Sequence, residues 1–143
     1  MTHWLLLHYK LSAKPSARRV YIWRKLRALG AVLLQNAIWV LPDSERAAEH
    51  FRWLVTEIQE MGGEACLWRS DLLLGVGESS LVQQFVEQVD REYAALLKAL
   101  DRKNADPAEM SRQYQQISKE DYFHSQAGQR VRERLMALRG KTR

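Results

Sequence analysis

Residues 31–61, AVLLQNAIWVLPDSERAAEHFRWLVTEIQEM, are the most informative about the fold, because they place a strand hairpin directly before an amphipathic helix. The apolar runs 31–35 and 37–41 predict two antiparallel strands joined by a tight turn. Asp43 or Ser44 can cap the helix that follows. That helix has the clearest apolar stripe in the chain, formed by Ala47, Ala48, Phe51, Leu54, Val55, Ile58 and Met61.

The segments on either side continue the alternation of strand and helix. Residues 3–9 form a short apolar run that predicts a buried strand, and residues 64–69 predict a fourth strand. A helical period extends from Ser16, its candidate N-cap, to Leu29, and Gly30 is placed to end it. The order strand, helix, strand, strand, helix, strand predicts an α+β fold, a ferredoxin-like βαββαβ sandwich with both helices on one face of the sheet.

The C-terminal part has a different character, with helical periods and no hairpin. A linker or a short extra strand precedes a long helix whose apolar stripe runs from Leu81 to Leu100. Pro107 fits the first turn of the next helix, and residues 125–138 predict a last one.

The length of 143 residues suits one domain, or one compact domain with a helical appendage. Hydrophobic residues make up 46% of the chain and charged residues 27%, which excludes collagenous and wholly disordered proteins. We predict a ferredoxin-like domain over residues 1–76. We expect residues 77–143 to form a helical extension that packs on this domain or on a dimer partner.

The cellular compartment is predicted from features that the sequence lacks. Cys66 is the single cysteine, which excludes an internal disulfide framework and suits a reducing compartment. The first apolar run is too short for a signal peptide, and no stretch has the length of a membrane-spanning helix. We therefore expect a cytoplasmic protein without a membrane partner.

The net charge of +5 is unevenly distributed along the chain. Residues 1–42 contain seven basic residues and no acidic one, residues 43–103 are acidic overall, and residues 104–143 are again basic. Cationic segments at both ends indicate a polyanionic partner, with nucleic acid the first candidate.

The predicted first helix and the loop before it carry the strongest functional signal. The helix and the loop contain no acidic residue that would offset their cations. Guanidinium groups bind phosphates through paired hydrogen bonds. The alternative is a solubilising helix face whose arginines pair with acids from the middle of the chain. The candidate DNA-binding residues are Lys14, Arg18, Arg19, Arg24, Lys25 and Arg27.

No motif indicates catalysis, a metal or a cofactor. His3, His8 and Cys66 match no metal-binding spacing, and the two histidines point to opposite faces of a regular strand. Structural histidines are the better interpretation. Gly75 and Gly77 do not follow a strand and open a helix, so they form no phosphate-binding fingerprint. We predict a non-enzymatic protein.

Two stretches resemble the N-terminal domain of ChrB, the chromate-resistance regulator family. They are LLLHYKLSAKPSARRVYIWRKLRALGAV at residues 5–32 and QNAIWVLP at residues 35–42. A weaker likeness continues to residue 123. The resemblance implies a transcriptional regulator of a chromate efflux operon, and therefore DNA binding. Longer family members carry a second domain associated with chromate sensing, so we expect this chain to bind chromate at most weakly.

The chain is similar, more distantly, to CRISPR-associated adaptation subunits and to the middle domain of PaaX repressors. Both resemblances imply a ferredoxin-like fold that dimerises, so we expect a homodimer. The CRISPR family holds a divalent metal with an aspartate at the end of its first strand, where this chain has Lys10. A lysine cannot ligate magnesium, which disfavours a metal-dependent nuclease. A protein-interaction module without DNA affinity is the other alternative.

Overall fold

A computed structural model of the chain describes residues 2–141, apart from the side chain of Lys141. Within these residues the chain forms four strands and five helices. Their bounds are β1 Trp4–Lys10, α1 Ser16–Ala28, β2 Val32–Leu34, β3 Ile38–Pro42, α2 Glu45–Glu60, β4 Glu64–Ser70, α3 Glu78–Leu100, α4 Pro107–Ser118 and α5 Gln126–Lys141. The chain divides into two compact units, residues 1–78 (unit 1) and residues 79–143 (unit 2).

Unit 1 is built on a four-stranded antiparallel sheet with the strand order β2-β3-β1-β4. In the central strand β1, Leu5 lies opposite Leu41, and Leu7 lies opposite Trp39 and Leu67. Because directly opposed residues point to the same side of a sheet, these side chains share one face. Four of them are at most 3% exposed, so this face forms part of the core of unit 1. Trp4, Val32 and Val40 lie on the opposite face and are also at most 3% exposed.

Helix α2 packs on β1 and β4 and supplies the other half of this core. Ser44 is its N-cap, and the Ser44 Oγ accepts a hydrogen bond of 3.0 Å from the Ala47 N–H. The predicted apolar stripe is confirmed, with Val55 and Met61 half-buried at its margins. The fully buried members of the stripe are Ala47, Ala48, Phe51, Leu54 and Ile58.

Helix α1 starts one residue earlier than expected. Pro15 occupies the N-cap position and makes no side-chain capping bond, so the prediction of a Ser16 cap is wrong. Ser16 is already helical, because proline fixes φ near the extended value that an N-cap residue adopts. At the other end Gly30 has φ +78°, which confirms it as the residue that ends the helix.

The hairpin between β2 and β3 closes with a tight turn, as predicted. Gln35 and Asn36 have φ values of +50° and +58°, and the Ala37 N–H donates to the Leu34 carbonyl at 3.0 Å. Two consecutive residues with positive φ match the twist of antiparallel strands.

Unit 2 is helical. Its core is formed by Val89, Tyr93, Leu96, Leu100, Met110, Val131 and Leu135. Asp106 caps α4 by accepting a hydrogen bond from the Ala108 N–H at 3.1 Å, and Pro107 fills the first turn as predicted. Residues 71–77 form no strand, so the linker interpretation holds for this segment.

The α+β class, the antiparallel sheet and the helical C-terminal region are therefore confirmed. None of the helices within residues 2–141 is both long enough and apolar enough to cross a bilayer.

Candidate nucleic-acid interface

The exposed side of α1 gathers the cations that the sequence singled out. Only Ile22 and Leu26 of this helix are buried. They lie one turn apart, so a single narrow stripe anchors the helix and the rest of its surface faces outward. All six predicted residues are exposed: Lys14, Arg18, Arg19, Arg24, Lys25 and Arg27. We call these six residues together the α1 cations.

Local contacts hold the start of this surface in place. In the loop before α1, the Ser12 hydroxyl donates to the Lys14 carbonyl at 3.0 Å. The Arg18 Nη1 donates to the Met61 carbonyl at 2.9 Å, which satisfies a free carbonyl at the end of α2. Arg18 therefore has a structural contact that the sequence did not reveal.

The α1 cations make no ion pair with a carboxylate in the part of the chain that the structure describes. The ion pairs found there include those of Arg69 with Asp43, Arg112 with Glu109, and Arg134 with Asp101. The interpretation that the arginines of α1 pair with acids from the middle of the chain is therefore not supported. Like charges at helical spacing repel, and a polyanion would relieve that repulsion.

Helix α5 is also rich in arginine, but two of its arginines have partners. Arg134 pairs with Asp101, and the Arg139 Nη2 donates to the Ser111 hydroxyl at 2.9 Å. These bonds tie α5 to neighbouring parts of unit 2. The α1 cations are therefore the better candidates for an external anion.

Two aromatic side chains interleave with the α1 cations, and sequence reasoning missed them. The Lys25 Nζ lies 5.4 Å from the centre of the Tyr21 ring, and the Arg27 Cζ lies 5.5 Å from that of Trp23. Both distances are within the range of cation–π attraction. Tyr21 remains 40% exposed and Trp23 49% exposed. The signal in the sequence is that a basic residue follows each aromatic one four positions later, Lys25 after Tyr21 and Arg27 after Trp23.

A shallow groove of about 260 Å³ opens between α1 and the end of β1. Its walls are Tyr9, Arg19, Val20 and Trp23, and no carboxylate within the described part of the chain lines it. Burial raises the pKa of the Tyr9 hydroxyl above its usual value of 10.0, although the nearby Arg19 charge acts in the opposite direction. The hydroxyl therefore keeps its proton at neutral pH and can donate a hydrogen bond.

His8 of β1 and His3, which directly precedes this strand, have structural partners. His8 accepts a hydrogen bond of 2.7 Å from the Trp68 indole N–H, and the two rings stack. His3 pairs with Asp71. Cys66 lies opposite His8 in the register of β1 and β4. No group of three His, Cys, Asp or Glu side chains among the described residues is arranged to hold a metal ion.

The comparison with protein families gives a match to the N-terminal domain of protein ChrB over residues 19–120. The match covers more than two-thirds of the chain and extends from Arg19 in α1 to the end of α4, so it includes β2, β3 and β4 of the sheet, but not β1, together with helices of unit 2. No curated protein and no solved structure matches the chain significantly. The chain belongs to the ChrB N-terminal family, and its role is related to the regulation of chromate resistance.

Proposed function

We propose that this member of the ChrB N-terminal family is a non-enzymatic transcriptional regulator of chromate resistance that binds operator DNA through α1. The observation that carries the proposal is a helix with exposed cations that have no carboxylate partner in the described part of the chain. Arginine and lysine side chains in this state are available to phosphates, which dominate the affinity of most DNA-binding proteins.

We further propose that unit 1 is ferredoxin-like. Its element order is βαββαβ, its sheet is antiparallel, and the strand that follows the first helix lies at one edge. Helix α2 packs against β1 and β4, and Tyr9 of β1 lines the groove beside α1. A cytoplasmic homodimer is part of this proposal, since paired DNA half-sites call for two copies of a small binding domain.

The test is binding of the chain to its own upstream DNA, measured by fluorescence anisotropy at rising salt concentrations. We expect affinity to fall steeply as salt displaces the protein from the phosphates. The double variant Arg24→Ala/Arg27→Ala is expected to bind about tenfold more weakly at 0.1 M salt, with a salt slope reduced by about 2.

The matched control is Arg102→Ala/Arg132→Ala, which removes the same charge from exposed positions in unit 2. We expect this control to bind nearly as the parent chain does. Equal losses in the two double variants, or an affinity that does not respond to salt, would contradict a phosphate interface on α1.

A protein-interaction module is the second candidate, and the exposed Tyr21 and Trp23 rings favour it. Aromatic residues are enriched in protein interfaces as well as in nucleic-acid sites. Light scattering with and without DNA separates the two functions. A dimer whose mass does not change when DNA is added would favour the interaction module.

A further inference from the structure

We propose that the groove formed by Tyr9, Arg19, Val20 and Trp23 receives one unpaired base of bound DNA, with the base stacked on the Trp23 indole. This inference rests on the proposed DNA binding and adds a contact of a different kind. Contacts between cations and phosphates do not depend on whether the bases are paired. An aromatic groove that binds a base does, because only an unpaired base can enter it.

The walls of the groove match the chemistry of a base. Trp23 is 49% exposed and Val20 is 43% exposed, so both offer apolar surface that a solvated helix face does not need. A base has an apolar face of similar extent to an indole ring, and such stacking is largely independent of sequence. Arg27 lies over the Trp23 ring and leaves this exposed part of the indole available.

The size of the groove limits what can enter it. At about 260 Å³ it is smaller than the cavities of about 300–1,000 Å³ that hold drug-sized molecules. A duplex cannot enter a space of this size, but a single planar ring system can. The base must therefore come from a single strand, or from a site where the duplex has opened.

The charge of the groove favours a nucleotide over an apolar peptide. Arg19 lines the groove, no carboxylate among the described residues does, and the other α1 cations lie along the same helix or, for Lys14, in the loop before it. The phosphate attached to a stacked base would meet Arg19, while the Tyr9 hydroxyl can donate to a base or phosphate oxygen. An uncharged peptide has no anionic group to match the Arg19 charge.

The test measures binding of the full chain to a labelled thymidine oligonucleotide of about 12 nucleotides, and to a duplex that contains it. Trp23→Ala is expected to weaken single-strand binding about tenfold and to change duplex binding less than twofold. Trp23→Phe retains a ring and should restore most of the loss. Trp53→Ala on α2 is the control, because the Trp53 indole is 63% exposed and lies outside the groove. It should change neither single-strand binding nor duplex binding.

The salt dependence separates this inference from the phosphate interface. Trp23→Ala should keep the parent salt slope, because stacking releases no counterions, whereas Arg24→Ala/Arg27→Ala should reduce it. If the parent binds DNA but Trp23→Ala behaves like Trp53→Ala, or weakens both forms of DNA equally, the base site is wrong and the phosphate interface stands. If the parent binds neither form of DNA, both proposals fail.

Discussion

Tyr93 shows at the residue scale how closely unit 2 is packed. Its ring is 1% exposed, and its hydroxyl donates to the Asp121 carboxylate at 3.0 Å. Gly128 of α5 lies directly against this ring. A Cβ at position 128 would come within 2.8 Å of the Tyr93 Cζ and 2.9 Å of its hydroxyl oxygen. The absence of a side chain at Gly128 is what allows α5 to approach the ring.

Gly128→Ala is therefore expected to lower the free energy of unfolding by about 1–3 kcal/mol, because a fixed, hydrogen-bonded ring must move. Gly140→Ala is the control in the same helix, since a Cβ there meets nothing within 4 Å. It should leave the protein unchanged or slightly more stable, because alanine favours the helix. Urea unfolding followed by circular dichroism measures both. A Gly128→Ala protein as stable as Gly140→Ala would show that the contact with Tyr93 is not tight.

Glu120 gives unit 2 a pH-dependent stability. Burial and the neighbouring Glu92 carboxylate raise the pKa of Glu120 from 4.5 to about 7. Between pH 4.5 and 7 the folded protein keeps a proton that the unfolded chain has lost. The free energy of unfolding should therefore fall as the pH rises through this window. Above pH 7, Glu120 should cause no further change in the free energy of unfolding.

Glu120→Gln should remove this fall. Because Glu120 is only half-buried, we expect the variant to be about 1 kcal/mol more stable than the parent at pH 8 and nearly equal to it at pH 4.5. Urea unfolding at both pH values measures the difference. Glu133→Gln, at an exposed position of α5, is the control. A Glu120→Gln variant that gains the same stability at both pH values would contradict the assignment.

At the scale of elements, α1 and α2 differ in how their sequences specify them. α2 has a side-chain N-cap at Ser44 and a broad buried stripe, so local and tertiary preferences agree. α1 has no capping side chain, no acidic residue in its first turn and only two buried side chains. Lys25 and Arg27 in its last turn interact favourably with the helix dipole. Most of the surface of α1 is exposed and contributes little to folding. That surface is therefore free to serve binding.

Arg18 links the two helices and should behave differently from Arg24. Arg18→Ala removes the hydrogen bond to the Met61 carbonyl, so we expect a loss of about 0.5–1 kcal/mol of stability and a small loss of DNA affinity. Arg24→Ala should leave stability within about 0.5 kcal/mol and weaken DNA binding more strongly. Thermal unfolding and anisotropy on the same two proteins make the comparison. The opposite ranking would show that Arg18 is the stronger DNA contact.

At the scale of the whole molecule, the distribution of cations argues against a specific chromate site. A tetrahedral dianion needs several donors that converge in a partly dry pocket. The α1 cations are exposed, and Arg19 is the one that lines the groove beside Trp23. A wider groove contains Arg52 and Arg69, but three carboxylates line it as well. Asp43, Glu45 and Glu49 would repel the anion there.

We therefore expect this chain to bind chromate weakly, and no more tightly than sulfate. Water and salt weaken a contact between one exposed cation and a small anion. Calorimetric titration with chromate, repeated in excess sulfate, measures this directly. Micromolar chromate binding that sulfate cannot displace would contradict the expectation and point to a site that these grooves do not contain.

Local sequence patterns predict the helices and strands of this protein, and they also identify the helix that carries its charge. Strands and amphipathic helices follow from local periodicity, so β1 to β4 and the stripe of α2 could be predicted within a residue or two. The absence of acidic residues from 1–42 is a property of the sequence alone. The resemblance to the ChrB N-terminal family also came from contiguous stretches of sequence. The family match over residues 19–120 confirms that membership.

Which of these residues have partners depends on how the folded chain packs. The bond from Arg18 to Met61 joins positions 43 residues apart, and the groove joins Tyr9 of β1 to Trp23 of α1. Such pairs depend on the packing of elements that are distant in the chain, and no local period encodes them. The raised pKa of Glu120 has the same origin, because both burial and the approach of Glu92 are products of folding.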